Sequence, residues 1–392
     1  MTEEIRVAFV GGGLIAKAHA AAQRALPVYH PELPRLRPLV VCDATDDLAR
    51  SAAARLGFEE SAAGWEQTVR RADVDAVVVA TPPDLHHDVV LAALAAGKHV
   101  LCEKPLALTA AEARAMCVAA EAAGVVHLVG FNLRQAPALK QARAMIREGA
   151  VGEISHLTGR YFQDHGRDAG RPMSWRYEAA RAGSGALGDV GSHLVDVVRM
   201  LAGEIETVTA ISRTIVAQRP AASADRPAAT AVDVDDYTAF VARFASGAVG
   251  TFEVSRVAAG RRNQLAIEIN GSHGSLAFDW ERSSELLYFA ASDAADRQGF
   301  RRIVVGPAQP SYPGLLPVAG LGVGFFEGML LQSAAFARAI AGRAPTTDEA
   351  TFRDGLRACE VVDAILSSAR TGGWTAVSAG ARVNGRPRSM RP

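Results

Sequence analysis

Two acids, a histidine and four glycines fall within Gly183-Ser-Gly-Ala-Leu-Gly-Asp-Val-Gly-Ser-His-Leu-Val-Asp196, after which the chain turns apolar. With a helix over 190–201, Asp189 and His193 stand one turn apart on a single face. An acid and an imidazole held together beside glycines, which let other groups come close, are suited to moving a proton. The same run also describes a plain helix start, with Asp189 as its cap and His193 as a polar surface residue. Asp196 reads as a residue that orients this helix or caps a neighbour. A second candidate is Glu103-Lys104-Pro105, where an ammonium could stabilise a developing alkoxide. The bond to Pro105 could be cis and turn the lysine into a cleft; the alternative is a surface turn. Lys17, Lys98, Lys104 and Lys140 are the only lysines, so a lysine at such a place by chance is uncommon. His86 and His87 raise the question of a metal. No third ligand accompanies them at a matching spacing, which leaves a structural role or a place at a cofactor's edge. His127, His156 and His273 read as ordinary polar residues.

Such groups need a frame that brings them together. Arg6–Val10 reads as a buried strand, running into Gly11-Gly-Gly-Leu-Ile-Ala16 and an Ala-rich helix to about Leu26. This is GxGxxA between strand and helix. Gly11 permits the tight turn, Gly13 lets backbone approach a pyrophosphate, and Ala16 allows close helix packing; Leu14 and Ile15 complete the cofactor-facing turn. A Pro-rich insertion is expected over Pro27–Pro38. The next strand ends at Asp43, placed to hold the adenosine ribose; it lies about thirty residues past the glycines rather than the usual twenty. Ala44 and Thr45 follow, not a basic pair for a 2′-phosphate, so NAD is expected over NADP. The alternative for Asp43 is a loop cap. Strands at 75–80, 98–102 and 125–130 alternate with helices, which predicts a doubly wound parallel sheet. Its ligand edge would carry Gly11, Asp43, Thr81 with Pro82, Glu103 and Asn132.

Beyond about residue 131 the pattern changes to strands, at 154–161, 207–216, 238–244, 248–255, 264–270 and 274–279, with helices at 138–148, 327–343 and 351–369. The expected organisation is a dinucleotide domain over 1–131, a second α+β domain over 132–370 with a large, mainly antiparallel sheet, and a disordered tail over 371–392. The formal net charge is zero, which gives no reason to expect nucleic acid or an anionic membrane as partner. No apolar run reaches bilayer length, and the N-terminus lacks a signal peptide's basic region. Cys42, Cys102, Cys117 and Cys359 are scattered, as expected of reduced core residues in a cytoplasmic protein.

The glycine turn, His99-Val-Leu-Cys-Glu-Lys-Pro105 and Gly183…Asp189-Val-Gly-Ser-His193…Asp196 together resemble the Gfo/Idh/MocA family of sugar and cyclitol dehydrogenases over about residues 5–370. The resemblance implies a Rossmann domain followed by an open-faced α/β domain whose sheet serves dimer or tetramer assembly. It implies a catalytic set of Lys104, Asp189 and His193, with Glu103 and Asn132 approaching the cofactor and Trp175-Arg176 near the nicotinamide end. Ser174-Trp-Arg176, Gly183–Gly188 and Tyr161-Phe-Gln-Asp164 are most similar to the branch of levoglucosan and inositol dehydrogenases. Tyr161, Gln163, Asp164 and His165 would then end a strand above the cleft, with polar groups for adjacent hydroxyls and an aromatic face for a ring; otherwise they are solvated loop residues. The implied activity is hydride transfer between NAD and a secondary alcohol of a pyranose, anhydrosugar or cyclitol. Rivals are a biosynthetic ketosugar reductase using NAD(P)H, a redox-neutral glycoside-cleaving enzyme with tightly held NAD, and a non-catalytic NAD sensor.

Overall fold

The computed structural model describes residues 4–222, 229–309, 312, 315, 317–343 and 349–377. The first half alternates β1 (Glu4–Val10), α1 (Leu14–Tyr29), β2 (Arg35–Asp43), α2 (Asp46–Leu56), β3 (Glu60–Ala63), β4 (Ala76–Val79), α3 (His86–Ala95), β5 (His99–Cys102), α4 (Ala110–Ala123) and β6 (His127–Val129). The six strands are parallel, in the order β3-β2-β1-β4-β5-β6. Helices cover both faces, so strands such as β4 are buried along their whole length and read as apolar runs without alternation. The strand order reverses between β1 and β4, and the crevice at their carboxyl ends is where such sheets bind ligands.

The expected Pro-rich insertion is not one. Pro27 lies in the last turns of α1, which runs on to Tyr29, and Pro38 lies within β2. Pro38 pairs with Val7, and the register slips by one residue between Val7 and Ala8, absorbing the proline's missing donor. The helix α2 and the edge strand β3 were not expected, because Ala-rich α2 buries only Ala49, Ala52 and Leu56 and its apolar pattern is faint.

The second half carries α5 (Pro137–Arg147), β7 (Ile154–Phe162), α6 (Ala179–Ala182), α7 (Ser192–Ala202), β8 (Ile205–Arg213), a ribbon of β9 (Gln218–Arg219) with β10 (Thr230–Ala231), β11 (Tyr237–Phe244), β12 (Val249–Ser255), β13 (Gln264–Gly271), β14 (Gly274–Asp279), β15 (Glu285–Ala290), β16 (Arg301–Val304), α8 (Phe325–Ile340), α9 (Phe352–Thr371) and β17 (Thr375–Ala376). Nine strands form one sheet, β16-β15-β14-β13-β7-β12-β11-β8-β17, antiparallel except for the β7–β12 pair. Along β11 the inward residues Thr238, Phe240, Ala242 and Phe244 are buried, beneath α7 and α9. The opposite face, with Thr158, Arg160, Thr209, Ile211, Val241 and Glu253, is open.

A cut at residue 131 does not separate two bodies. Met329, Leu330 and Phe336 of α8 share a core with Phe9, Leu26 and Leu36, and α9 packs on both α4 and β8. The tail also begins later than expected: Gly372 closes α9 in a left-handed conformation and β17 adds an edge strand against β8. Of the expected tail, residues 378–392 lie outside the described residues. Among the described residues no helix is long and apolar enough to cross a membrane.

Asp196 anchors its helix rather than capping a neighbour. Arg134, just after β6, grips it through Nε and Nη2 at 2.6 Å each, and Nη2 also reaches Asp354 of α9 at 2.9 Å. Burial opposes both charges, but the twin contacts and Asp354 prevail and hold the Arg134 guanidinium above its ordinary pKa. Asp196→Ala leaves that guanidinium buried with Asp354 as its one remaining acidic partner and its Nε unpaired, and an expected loss of about 3 kcal/mol follows. Equilibrium urea unfolding checks this; a loss below about 1 kcal/mol would mean the pair is dispensable.

Candidate active site

The glycine turn is built by three kinds of contact. Gly11 has φ +95°, and a Cβ there would meet Ala80 O at 2.7 Å, so strand β4 is the reason for this glycine. Gly12 is packed against α2, where a Cβ would stand 2.3 Å from that of Ala52. Gly13 faces open space. Asp43 accepts the Gly12 N–H at 3.0 Å, and Arg55 Nη2 donates to Gly12 O at 2.7 Å, bracing the turn.

These residues fit a dinucleotide. Gly13 precedes α1 with no side chain capping the helix and no acid in its first turn, so its leading N–H groups are free for a pyrophosphate. Leu14 is 82% exposed and Ile15 partly buried at the same rim. Asp43 stands at the end of β2, where a ribose would lie. Thr81 Oγ1, next to Pro82, and Asn132 Nδ2, just past β6, are buried and have no hydrogen-bond partner among the described residues.

Of the two roles open to His86, structural or at the cofactor's edge, the structure favours the first and corrects the second: the ring is fully buried between Pro105 O (3.0 Å from Nδ1) and Thr81 O (3.1 Å from Nε2). It ties the Thr81 turn to the turn after Lys104, and burial holds its pKa down. Glu103 is held from the opposite side. Its carboxylate meets His19 Nε2 of α1 at 2.7 Å and accepts the Lys104 N–H at 3.2 Å. His19, three residues past Ala16 on the buried side of α1, was missed in the sequence; a histidine in an Ala-rich stripe was the available signal.

The Lys104–Pro105 peptide is cis, and the lysine ammonium donates to Asp189 O at 2.6 Å and Oδ1 at 3.0 Å. The stretch around Asp189 is a π turn over Leu187–Gly191 that runs into α7, so the helix begins earlier than expected. Asp189 is not its cap. That work falls to Asp235, whose carboxylate accepts the N–H groups of Gly185 at 2.7 Å and Leu187 at 2.9 Å. Burial alone would push the Asp189 carboxyl up, but Lys104, Arg256 and Arg176 overcome it and hold it well below the usual carboxylate range.

His193 is not a surface residue: it is 7% exposed, with Nδ1 buried and unpartnered. Phe131 meets its ring edge-on at 5.7 Å, and Tyr161 lies 6.2 Å away. Burial and then the Lys104 charge press its pKa well below the ordinary imidazole value, against the pull of Asp189. The result is a neutral imidazole beside a cation and an anion. This group can accept a proton, while the ammonium next to it can stabilise the oxygen left behind.

Tyr161 lies beside the His193 ring, and Gln163 shares its partner. Tyr161 Oη donates to Asn263 Oδ1 at 2.8 Å and Gln163 Nε2 to the same oxygen at 2.6 Å, which leaves the oxygens of both side chains as acceptors. Asn263 carried no sequence signal. Burial and the Asp189 charge raise the Tyr161 pKa, keeping the phenol neutral. Asp164 is drawn to Arg262 at 3.1 Å, and His165 is partly buried with a lowered pKa. Trp175 carries Arg176 stacked on its ring at 4.2 Å, and the Arg176 charge acts on Asp189.

A parallel dinucleotide sheet with this lysine–aspartate–histidine group against its ligand edge defines a nicotinamide-dependent oxidoreductase as a class. Residues 5–131 match the oxidoreductase family with NAD-binding Rossmann fold, and residues 139–277 match the GFO/IDH/MocA C-terminal domain. The levoglucosan dehydrogenase of Pseudarthrobacter phenanthrenivorans is 40% identical over 388 residues, 96% of this chain and 98% of that one. A solved levoglucosan dehydrogenase in complex with NADH and levoglucosan superposes with TM-score 0.91 at 40% identity, covering 96% of this chain and 100% of that one. Myo-inositol 2-dehydrogenase of Thermotoga maritima is 30% identical over 67% of this chain and 71% of its own length. The chain belongs to the Gfo/Idh/MocA family of oxidoreductases, and its cofactor is NAD.

Proposed function

We propose that this protein is an NAD-dependent dehydrogenase of a pyranose, anhydrosugar or cyclitol, with levoglucosan as the first substrate to test. The observation that carries this reading is the convergence of Lys104, Asp189 and a neutral, buried His193 at the mouth of the dinucleotide crevice. His193 removes the proton of a secondary hydroxyl. Lys104 holds that oxygen and stabilises its growing negative charge. Asp189 binds a neighbouring hydroxyl and orients the lysine. Tyr161 and Gln163 accept from further hydroxyls, and Trp175 offers a ring face. Gly11, Gly13, Leu14, Ile15, Asp43, Thr81, Pro82, Glu103, Asn132 and Arg176 line the cofactor's path, and bound NAD supplies the hydride acceptor. Likeness along nearly the whole chain to a dehydrogenase named for levoglucosan supports the choice of substrate class.

A panel of levoglucosan, pyranoses and inositols with NAD or NADP tests this through absorbance of the reduced cofactor. Levoglucosan or a near relative with NAD should give turnover, with kcat/KM at least about tenfold above that with NADP, whose phosphate would meet Asp43 unpaired. NMR of the product carbonyl would identify the carbon oxidised. No response from any alcohol or ketone would defeat the proposal. The open face of the nine-stranded sheet, with exposed Ile211, Val241 and Val249, is the surface we assign to homodimer or homotetramer assembly. Four free, buried cysteines fit a reducing, cytoplasmic setting.

A further inference from the structure

Arg219, in the short strand β9, is completely buried. Among the described residues no carboxylate pairs with it. It donates instead to two main-chain oxygens, Asp168 O at 2.8 Å through Nη1 and Gly166 O through Nη2. Its guanidinium lies over the Tyr177 ring, 3.9 Å from the centroid. Taking a guanidinium out of water without an anion is costly, and an apolar side chain would fill a plain core better. What the charge secures is a segment with no ladder of its own. From Gln163 to Ser174 the chain is neither helix nor strand, so its inward carbonyls need partners from elsewhere.

That segment borders the candidate active site. It leaves β7 just after Tyr161, and His165 sits close enough to Asp189 to feel its charge. Gly166 is gripped on both sides: its N–H donates to Arg256 O at 2.8 Å, and its carbonyl accepts from Arg219. A Cβ at Gly166 would stand 3.0 Å from Arg256 O, tighter than an ordinary contact. The far end of the segment is tied to the same ribbon. Met173 N–H donates to Pro220 O at 2.8 Å, and Met173 and Tyr177 share a small core with Val232 and Val234. Arg256 holds the neighbouring turn separately, donating to Arg176 O at 3.2 Å.

We propose that Arg219 is a positioning residue for the sugar: it fixes the turn at 165–168 as one wall of the substrate site, with the β9–β10 ribbon as its mount. This rests on the reading of Lys104, Asp189 and His193 given above. Arg219 bonds to the 166–168 turn and stacks on Tyr177, not on the elements that carry the reacting groups or the glycine turn. Its effect therefore falls on sugar binding, and proton transfer and NAD are left alone.

Two measurements on the full chain test it. With levoglucosan and NAD, Arg219→Met should raise KM for the sugar about tenfold, the scale of losing one or two well-placed hydrogen bonds. Its kcat should stay within about twofold of native and its NADH affinity unchanged, as expected when uniform binding is removed. Arg219→Lys can reach one of the two carbonyls and should recover part of the loss. It keeps the charge, so it carries the test if Arg219→Met does not fold. An unmoved KM, or a loss confined to kcat, would overturn the proposal. Hydrogen exchange should show the amides of 165–171 opening about tenfold more readily in the variants, with α7 and β13 as in the native protein. Faster exchange throughout the chain would mark Arg219 as merely structural and overturn the proposal. If the native protein oxidises no sugar, the catalytic reading is what has failed; exchange needs no substrate and still decides whether Arg219 holds this turn.

Discussion

His193→Ala is expected to lose between about a hundredfold and ten-thousandfold in kcat while NADH binding stays as it was. The binding half of this expectation follows from position. In the reading proposed above, the glycine turn, Asp43 and the head of α1 hold the nucleotide, and His193 touches none of them. The turnover half follows from the ring's surroundings. It is walled by Phe131 and Tyr161, and its neutral form is favoured by burial and Lys104. His165, the nearest alternative, lies beyond β7 among Arg171, Arg176 and Arg256, with its own pKa lowered. Steady-state kinetics with a fluorescence titration of NADH separate the two halves. Native turnover in the variant would remove His193 from the mechanism.

Lys104→Met should lose about a hundredfold to a thousandfold in kcat, the scale of deleting one preorganised donor to a developing oxyanion. It should also move the pH dependence in a definite direction. The base must be neutral, so the rate of oxidation rises with pH through the His193 pKa. Lys104 holds that pKa down while Asp189 pulls it up. Without the ammonium the limb should rise at a higher pH. Lys104→Arg keeps the charge and should leave the limb near its native position while still losing rate, since a planar fork cannot replace a compact ammonium. A methionine variant with reduced kcat and an unmoved limb would mean that Lys104 binds substrate without tuning the base.

The chemistry of this site was legible in the sequence to the extent that it sits on local patterns. GxGxxA, EKP and the spacing of Asp189 and His193 each lie within a few residues, and the alternation of apolar strands and helices places them at one edge of a sheet. What the sequence did not disclose depends on pairs far apart in the chain. Asp235 caps the segment that carries Asp189, Asn263 sets Tyr161 and Gln163, and Arg134 fixes Asp196; none of these partners has a spacing that advertises it. His86 was left between two roles for the same reason, because its place is fixed by Thr81 O and Pro105 O, two backbone atoms with no side-chain signature. Pro27 and Pro38 misled because each sits where its missing N–H does little harm, near a helix end and at a register slip.

The return of α8 and α9 to the first sheet bears on how such an enzyme can be rebuilt. A designer who wished to change cofactor preference by exchanging the nucleotide-binding half as a cassette would find no clean seam after residue 131. Met329, Leu330 and Phe336 would face a foreign α1, and Leu128 would lose its bridge to Thr351. The unit that belongs to the first sheet is discontinuous, the first 131 residues with α8, whereas α9 is shared and packs on α4 and β8 alike. A chimaera that keeps α8 with its own α1 should fold better than one spliced at residue 131, which should expose core.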